Sequence, residues 1–255
     1  MSFLKKYWKT LVFFAIVGLV GGFATGLYLL DSYPADIRQQ LVDELQGSGL
    51  GQIPADLLIA VITAVQSAGY GLVLGAIGIF LAKKIGLWKD ERSITKRPLV
   101  ITTILSILGG LSLILPDILF FNNYSEVITQ SYASKPTLVY MLATVTYGAV
   151  IEEVMLRLFF MSLIAFVLQK LLRKESVGLL IAANWVSALL FAAGHLPATI
   201  MMIGSTPLII FRCMLLNGVF GLLFGYLYRK FGLRYAMIAH AGCHVVSKTI
   251  WILFI

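Results

Sequence analysis

The sequence predicts an all-α fold: a polytopic transmembrane helical bundle of about seven spans, within a range of six to eight, around a polar intramembrane cavity. Three observations carry that reading. Of the 255 residues, 59% are hydrophobic and 13% charged, with a mean hydropathy of +0.91, whereas soluble globular domains run nearer one quarter charged. The apolar residues stand in long unbroken blocks rather than short amphipathic ones, as membrane-crossing helices require. Basic residues gather in short runs beside those blocks, while all three histidines, His195, His240 and His244, lie inside or at the end of them.

The length suits one integral membrane domain over residues 1–255, with no second soluble domain. A net charge of +8 would suit nucleic acid, but placement of the cations beside apolar blocks is the positive-inside pattern, so nucleic acid is not an expected partner. Cys213 and Cys243 fall in apolar blocks without metal-knuckle spacing and read as small buried hydrophobes.

The first span is about Leu11 to Leu30. Lys5, Lys6 and Lys9 before it resemble a signal peptide, but the apolar run is too long and no small-x-small site follows, so a retained signal anchor is expected. Residues 31–56 are polar, with Asp31, Asp36, Asp43 and Glu44 against one Arg38, and Ile37, Leu41 and Leu45 four apart predict a short surface helix. The second span, about Leu57 to Ala82, holds glycines that permit close helix approach. A basic loop follows with Lys83, Lys84, Lys89, Arg92, Lys96 and Arg97. The third span, about Leu99 to Phe121, ends near Pro116, Asp117 and the Asn122-Asn123 turn, which places Asp117 at the membrane interface.

Thr137 to Leu172 is the longest apolar block. At 1.5 Å per residue it is far longer than a ~30 Å hydrocarbon core, so it must tilt, bend or protrude. The fifth span starts about Val177, passes His195 and is expected to continue through Pro197 to about Ile203. The sixth is about Leu208 to Tyr228 and the seventh Tyr235 to Ile255, with Lys248 snorkelling to the outer surface. Basic clusters at 5–9, 83–97, 170–174 and 229–234 then fall on one side, predicting an integral, multi-pass protein with a cytoplasmic N-terminus. The short loops and lack of a targeting extension suggest a prokaryotic cell membrane.

Ionisable side chains in hydrocarbon cost roughly 2.5 to 3.5 kcal/mol each on insertion scales, so a chain that keeps several usually uses them. Three groups stand out. In Glu152-Glu153-x-x-x-Arg157, Glu153 and Arg157 are four apart and can pair, leaving Glu152, rotated about 100° away, to face a cavity. Phe191-Ala-Ala-Gly-His195 puts small residues before an imidazole, where a helix or a substrate backbone can come close. His240-Ala-Gly-Cys-His244 puts two imidazoles on one helical face, which suits a metal site or a pair of hydrogen-bond donors. Each also has a structural reading, as a buried ion network or interhelical hydrogen bonds. Arg212 and Asn217 on the sixth span suit either the site or an interhelical tie.

Taken in order, the three groups resemble the CPBP intramembrane proteases, which include the Ras-converting CAAX endopeptidases and bacteriocin-related bacterial relatives. The family pattern of E-E-x-x-x-R, F-x-x-x-H and H-x-x-x-N or Asp is met by Glu152-Glu153-x-x-x-Arg157, Phe191-x-x-x-His195 and His240-x-x-x-His244, and the glycine-spaced run from Asn217 to Gly225 is also similar. The departure is His244, where the family usually has Asn. The resemblance implies a catalytic core at 137–248 that hydrolyses a peptide bond of a membrane-tethered peptide or protein, prenylated CAAX-type substrates among the options, in the presence of membrane lipids. Glu152 and His195 would activate water, His240 and His244 would hold the oxyanion, and Glu153, Arg157, Phe191 and Asn217 would support them. No cofactor is expected, although zinc on His195, His240 and His244, with Glu152 nearby, is the second choice; oligomeric state is left open. The competing functions are a non-catalytic scaffold or bacteriocin-immunity-type protein, and a proton-coupled transporter. Along straight spans His195 and His240 would differ in depth by roughly 10 Å, which tilted or broken helices must absorb.

Overall fold

A computed structural model describes residues 3–50, 52–89 and 94–255; Arg92 of the expected basic loop, and the Asp31 side chain, lie outside what is described. Nine helical segments follow one another among the described residues, with no strand between them. They are α1 (Phe3–Ser32), α2 (Ala35–Leu45), α3 (Ala55–Lys84), α4 (Lys96–Leu119), α5 (Glu126–Ser131), α6 (residues 138–172), α7 (Val177–Ile203), α8 (Pro207–Phe231) and α9 (Leu233–Phe254). Helix α2 is the expected short surface helix, with no buried residue.

Among the described residues six helices are long and apolar enough to cross a bilayer: α1, α3, α4, α7, α8 and α9. The remaining expected crossing, α6, is helical throughout but leaves α geometry for wider π turns over Thr144–Glu152 and Val154–Met161. A wider turn rises less per residue, so the over-long block needs less tilt to fit. Ser187 of α7 donates to the Leu156 carbonyl within the second π stretch at 2.7 Å, the kind of side-chain support that lets irregular helix persist at membrane depth. Helix α4 runs through Pro116 to Leu119 before a short 3-10 turn at Phe121–Asn123. Helix α7 runs through Pro197 to Ile203.

Small residues decide which helices touch. Gly18, Gly22 and Gly26 form one stripe of α1, and a Cβ on Gly22 or Gly26 would lie 2.5 Å from the Thr63 carbonyl oxygen or the Ala60 Cα of α3. In lipid, where burial of oil against oil gives little, such close van der Waals approach is what holds two helices together. Gly22→Leu is therefore expected to force α1 off α3 and to destabilise the protein by about 3 kcal/mol, read as an earlier unfolding midpoint in a detergent titration. Gly221 and Gly225 of α8 receive Ala188 and Asn184 of α7 in the same way, and Gly110 and Gly242 bring α4 and α9 together. Gly232, at φ 106°, adopts a conformation few other residues reach and lets α8 reverse into α9 over a single residue.

The buried core joins Phe14 of α1, Ile79 of α3, Leu158 of α6, Phe191 of α7, Phe224 and Tyr228 of α8 and Ala236 of α9. Outward faces carry large exposed apolar side chains, among them Phe13 and Ile16 of α1 and Trp185 of α7. In water such a surface would aggregate; against acyl chains it is at home.

Candidate active site

Helix α6 carries the acidic pair, and its two members have opposite fates. Glu153 and Arg157 are both fully buried, at 0% exposure. Arg157 Nε lies 3.4 Å from Glu153 Oε2, and the guanidinium sits 4.5 Å above the Phe191 ring and 5.8 Å from that of Phe224. None of the Arg157 nitrogens has a hydrogen-bond partner. One carboxylate and two aromatic faces therefore replace the water that the cation has lost. Glu152 is only partly buried and turns into a pocket.

The other oxygen of Glu153 reaches across to α9. His240 Nδ1 is 3.0 Å from Glu153 Oε1. An ionised carboxylate only accepts, so Nδ1 carries the proton. The His240 ring stacks on Phe224, with centroids 4.4 Å apart at 16°, and presents itself edge-on to Phe191 at 6.0 Å. His244 lies one turn further along α9, with its ring centroid 5.1 Å from that of His240. The Nε2 atoms of both rings face Gly148 of α6, where a Cβ would stand 3.8 Å from each.

His195 of α7 bonds its own helix: Nδ1 is 2.8 Å from the Phe191 carbonyl oxygen. A carbonyl also only accepts, so Nδ1 donates and Nε2 keeps its lone pair. The Phe191 ring lies 4.6 Å from His195, so a single aromatic side chain touches Arg157, His195 and His240. Glu152, His195, His240, His244 and Asn217 all line one pocket of about 510 Å³, a size that accommodates a short peptide or small ligand. Asn217 Nδ2 is bonded back to the Cys213 carbonyl at 2.9 Å.

One expectation is corrected. Lys248 does not snorkel outward: it is 4% exposed, with Nζ 3.2 Å from His244 Nδ1 and 4.5 Å above the Tyr140 ring. The spacing His240, His244, Lys248, each four apart, puts all three on the face of α9 that packs inward. Asp117 stands near the C-terminal end of α4. It is fully buried, accepts from the Tyr132 hydroxyl at 2.6 Å and from Arg212 Nε at 2.5 Å, and takes a second bond from Arg212 Nη2. Burial first, and then the Asp117 carboxylate, push the Tyr132 phenol up, so it remains a donor. Arg212 is thus committed to a tie between α8 and α4, with one edge on the pocket. No local signal links Asp117, Tyr132 and Arg212, which lie far apart in the chain. Cys213 and Cys243 are free and buried.

Among the described residues no three or more His, Cys, Asp or Glu side chains are grouped so as to hold a metal ion.

Compared with known proteins, residues 134–246 match the family model described as Rce1-like, type II CAAX prenyl endopeptidase Rce1-like. The match spans the latter part of the chain from just before α6 to within α9 and includes Glu152, His195, Asn217, His240 and His244 but not Lys248. No curated protein and no solved structure matches the chain. The six apolar helices and this match make the chain an integral membrane protein.

Proposed function

We propose that this chain, whose residues 134–246 form an Rce1-like domain, is an intramembrane endopeptidase that hydrolyses a peptide bond of a membrane-tethered, CAAX-type substrate. The observation that carries the proposal is the convergence of Glu152, His195, His240 and His244 on one pocket from three separate helices. Glutamate and imidazole are suited to exchanging protons with a trapped water.

In this reading Glu152 takes a proton from water, and the bare Nε2 of His195 accepts the second hydrogen bond that aims it. The resulting hydroxide adds to the scissile carbonyl. His240 and His244, on either side of the space left by Gly148, donate to the oxyanion; His240 does so when its ring carries its second proton, with Glu153 as counter-ion. Donors fixed in such a site can be worth about 3 to 4 kcal/mol each to the transition state. Glu152 then returns its proton to the departing amine as the C–N bond breaks, leaving a new carboxylate and a new amine. Glu153, Arg157 and Phe191 hold the imidazoles in place, and the working core is residues 137–248 within one membrane domain.

The three imidazoles are also the ligands that zinc would need. The Lys248 amine, 3.2 Å from His244 Nδ1, supports the metal-free reading. The reaction is therefore written without a metal. Loop charges favour a cytoplasmic N-terminus.

The test is cleavage of C-terminal peptides, prenylated or acylated, in proteoliposomes made with ¹⁸O-labelled water. One ¹⁸O atom per product carboxylate is expected. Absence of cleavage across prenylated and acylated peptides, with proton uptake instead, would replace the protease reading by a transporter.

A further inference from the structure

We infer that Lys248 is a positioning residue that holds the His244 proton on Nε2, so that this imidazole presents an N–H to the pocket. The inference rests on the proposed function for its catalytic consequence, whereas the proton position rests on the contact geometry and a charged Lys248. A neutral imidazole carries one N–H, and the partner of one nitrogen decides which nitrogen has it. An ammonium has three donors and no acceptor, so at 3.2 Å from Lys248 Nζ the His244 Nδ1 must accept. The position of Nζ, 4.5 Å above the Tyr140 ring, favours the charged form, because an aromatic face attracts a cation. Tyr140 is itself fixed by stacking on Tyr28, with centroids 4.3 Å apart.

The neighbouring imidazole is set the opposite way. Glu153 accepts from His240 Nδ1 at 3.0 Å, which leaves the neutral His240 ring with a lone pair on Nε2. Two like side chains one turn apart are thus polarised by an acid under one and a cation under the other. Their Nε2 atoms meet the same glycine, 3.8 Å from its absent Cβ. The pocket therefore receives one acceptor and one donor from two histidines.

Lys248 also explains how a histidine can stand at position 244. A carboxamide there offers N–H donors in any surroundings. An imidazole offers one to the pocket when its proton sits on Nε2, and a donor at Nδ1 favours that tautomer; Lys248, four residues on and buried, supplies that donor.

A double-mutant cycle of Lys248→Met and His244→Asn tests the inference. Lys248→Met alone is expected to lower kcat by about 10- to 100-fold, part of the effect of losing an oxyanion donor outright, with KM little changed. In the His244→Asn background the same lysine change is expected to cost less than about threefold, because the amide needs no setting. Equal losses in both backgrounds would overturn the inference, since Lys248 would then act through folding or net charge.

A second measurement does not depend on turnover. In protein carrying ¹⁵N-labelled histidine, the His244 resonances of the unmutated chain should show Nε2 protonated and Nδ1 bare. A proton on Nδ1 would overturn the inference whatever the activity. The expected spectrum in a protein without peptidase activity would leave the inference standing and remove the proposed function instead.

Discussion

Glu152→Gln is expected to lower kcat by about 10²- to 10⁴-fold and to leave the unfolding midpoint in detergent unchanged. The substitution keeps the size and hydrogen-bonding reach of the side chain and removes its ability to carry a proton from water to the leaving amine. Glu152 is partly exposed on the pocket, so little packing depends on its charge. Peptide binding should persist, and the loss should fall on kcat with KM nearly constant. Turnover by Glu152→Gln equal to that of the unmutated protein would end the assignment of Glu152 as the base.

Glu153→Ala, one residue along, should behave in the reverse manner. Arg157 would then be a fully buried cation with its counter-charge gone, a change that costs about 3 to 5 kcal/mol. His240 would lose the acceptor that orients it. The protein should unfold at markedly lower denaturant and show no turnover at temperatures where Glu152→Gln is fully folded. Replacing both charges together, as Glu153→Gln with Arg157→Met, is expected to recover most of the stability, because a pair of hydrophobic or neutral groups avoids the desolvation that the ion pair must offset. If Glu153→Ala proved as stable as the unmutated protein, the ion pair would not be holding α6 against α7 and α8. Two adjacent glutamates thus separate turnover from folding by direct comparison.

The membrane spans were legible because hydrocarbon imposes a local rule. Each crossing must satisfy its own backbone and present apolar side chains over a known length, so the blocks near 11–30, 57–82 and 99–121 could be read without knowing their neighbours. The extension of α7 through Pro197 was expected because it brings His195 nearer the middle of the span. The pairing of Glu153 with Arg157 was equally local, being one turn of helix. The fourth block was less readable. Its excess length was visible, but the switch to π turns depends on contacts such as Ser187 with the Leu156 carbonyl, which come from another helix.

The site divides in the same way. The spacing of His240 and His244 put both on one face, and extending that period by four would have found Lys248. Its assignment to the surface came from treating a lysine near a chain end by its hydropathy and not by its helical phase. Asp117 had no such signal: its carboxylate is buried by Tyr132 and Arg212, 15 and 95 residues away.

By itself, then, the sequence determined that this is a multi-pass α-helical membrane protein with its ionisable side chains held on a few spans, because hydropathy and helical period act within one segment. Only the tertiary structure decided which carboxylate is locked in the core, which faces the pocket, and which ring nitrogen each histidine turns to Gly148. Those outcomes follow from how α6, α7, α8 and α9 are rotated against one another, and rotation is set by contacts between small residues on different helices, a relation that no single stretch of sequence contains.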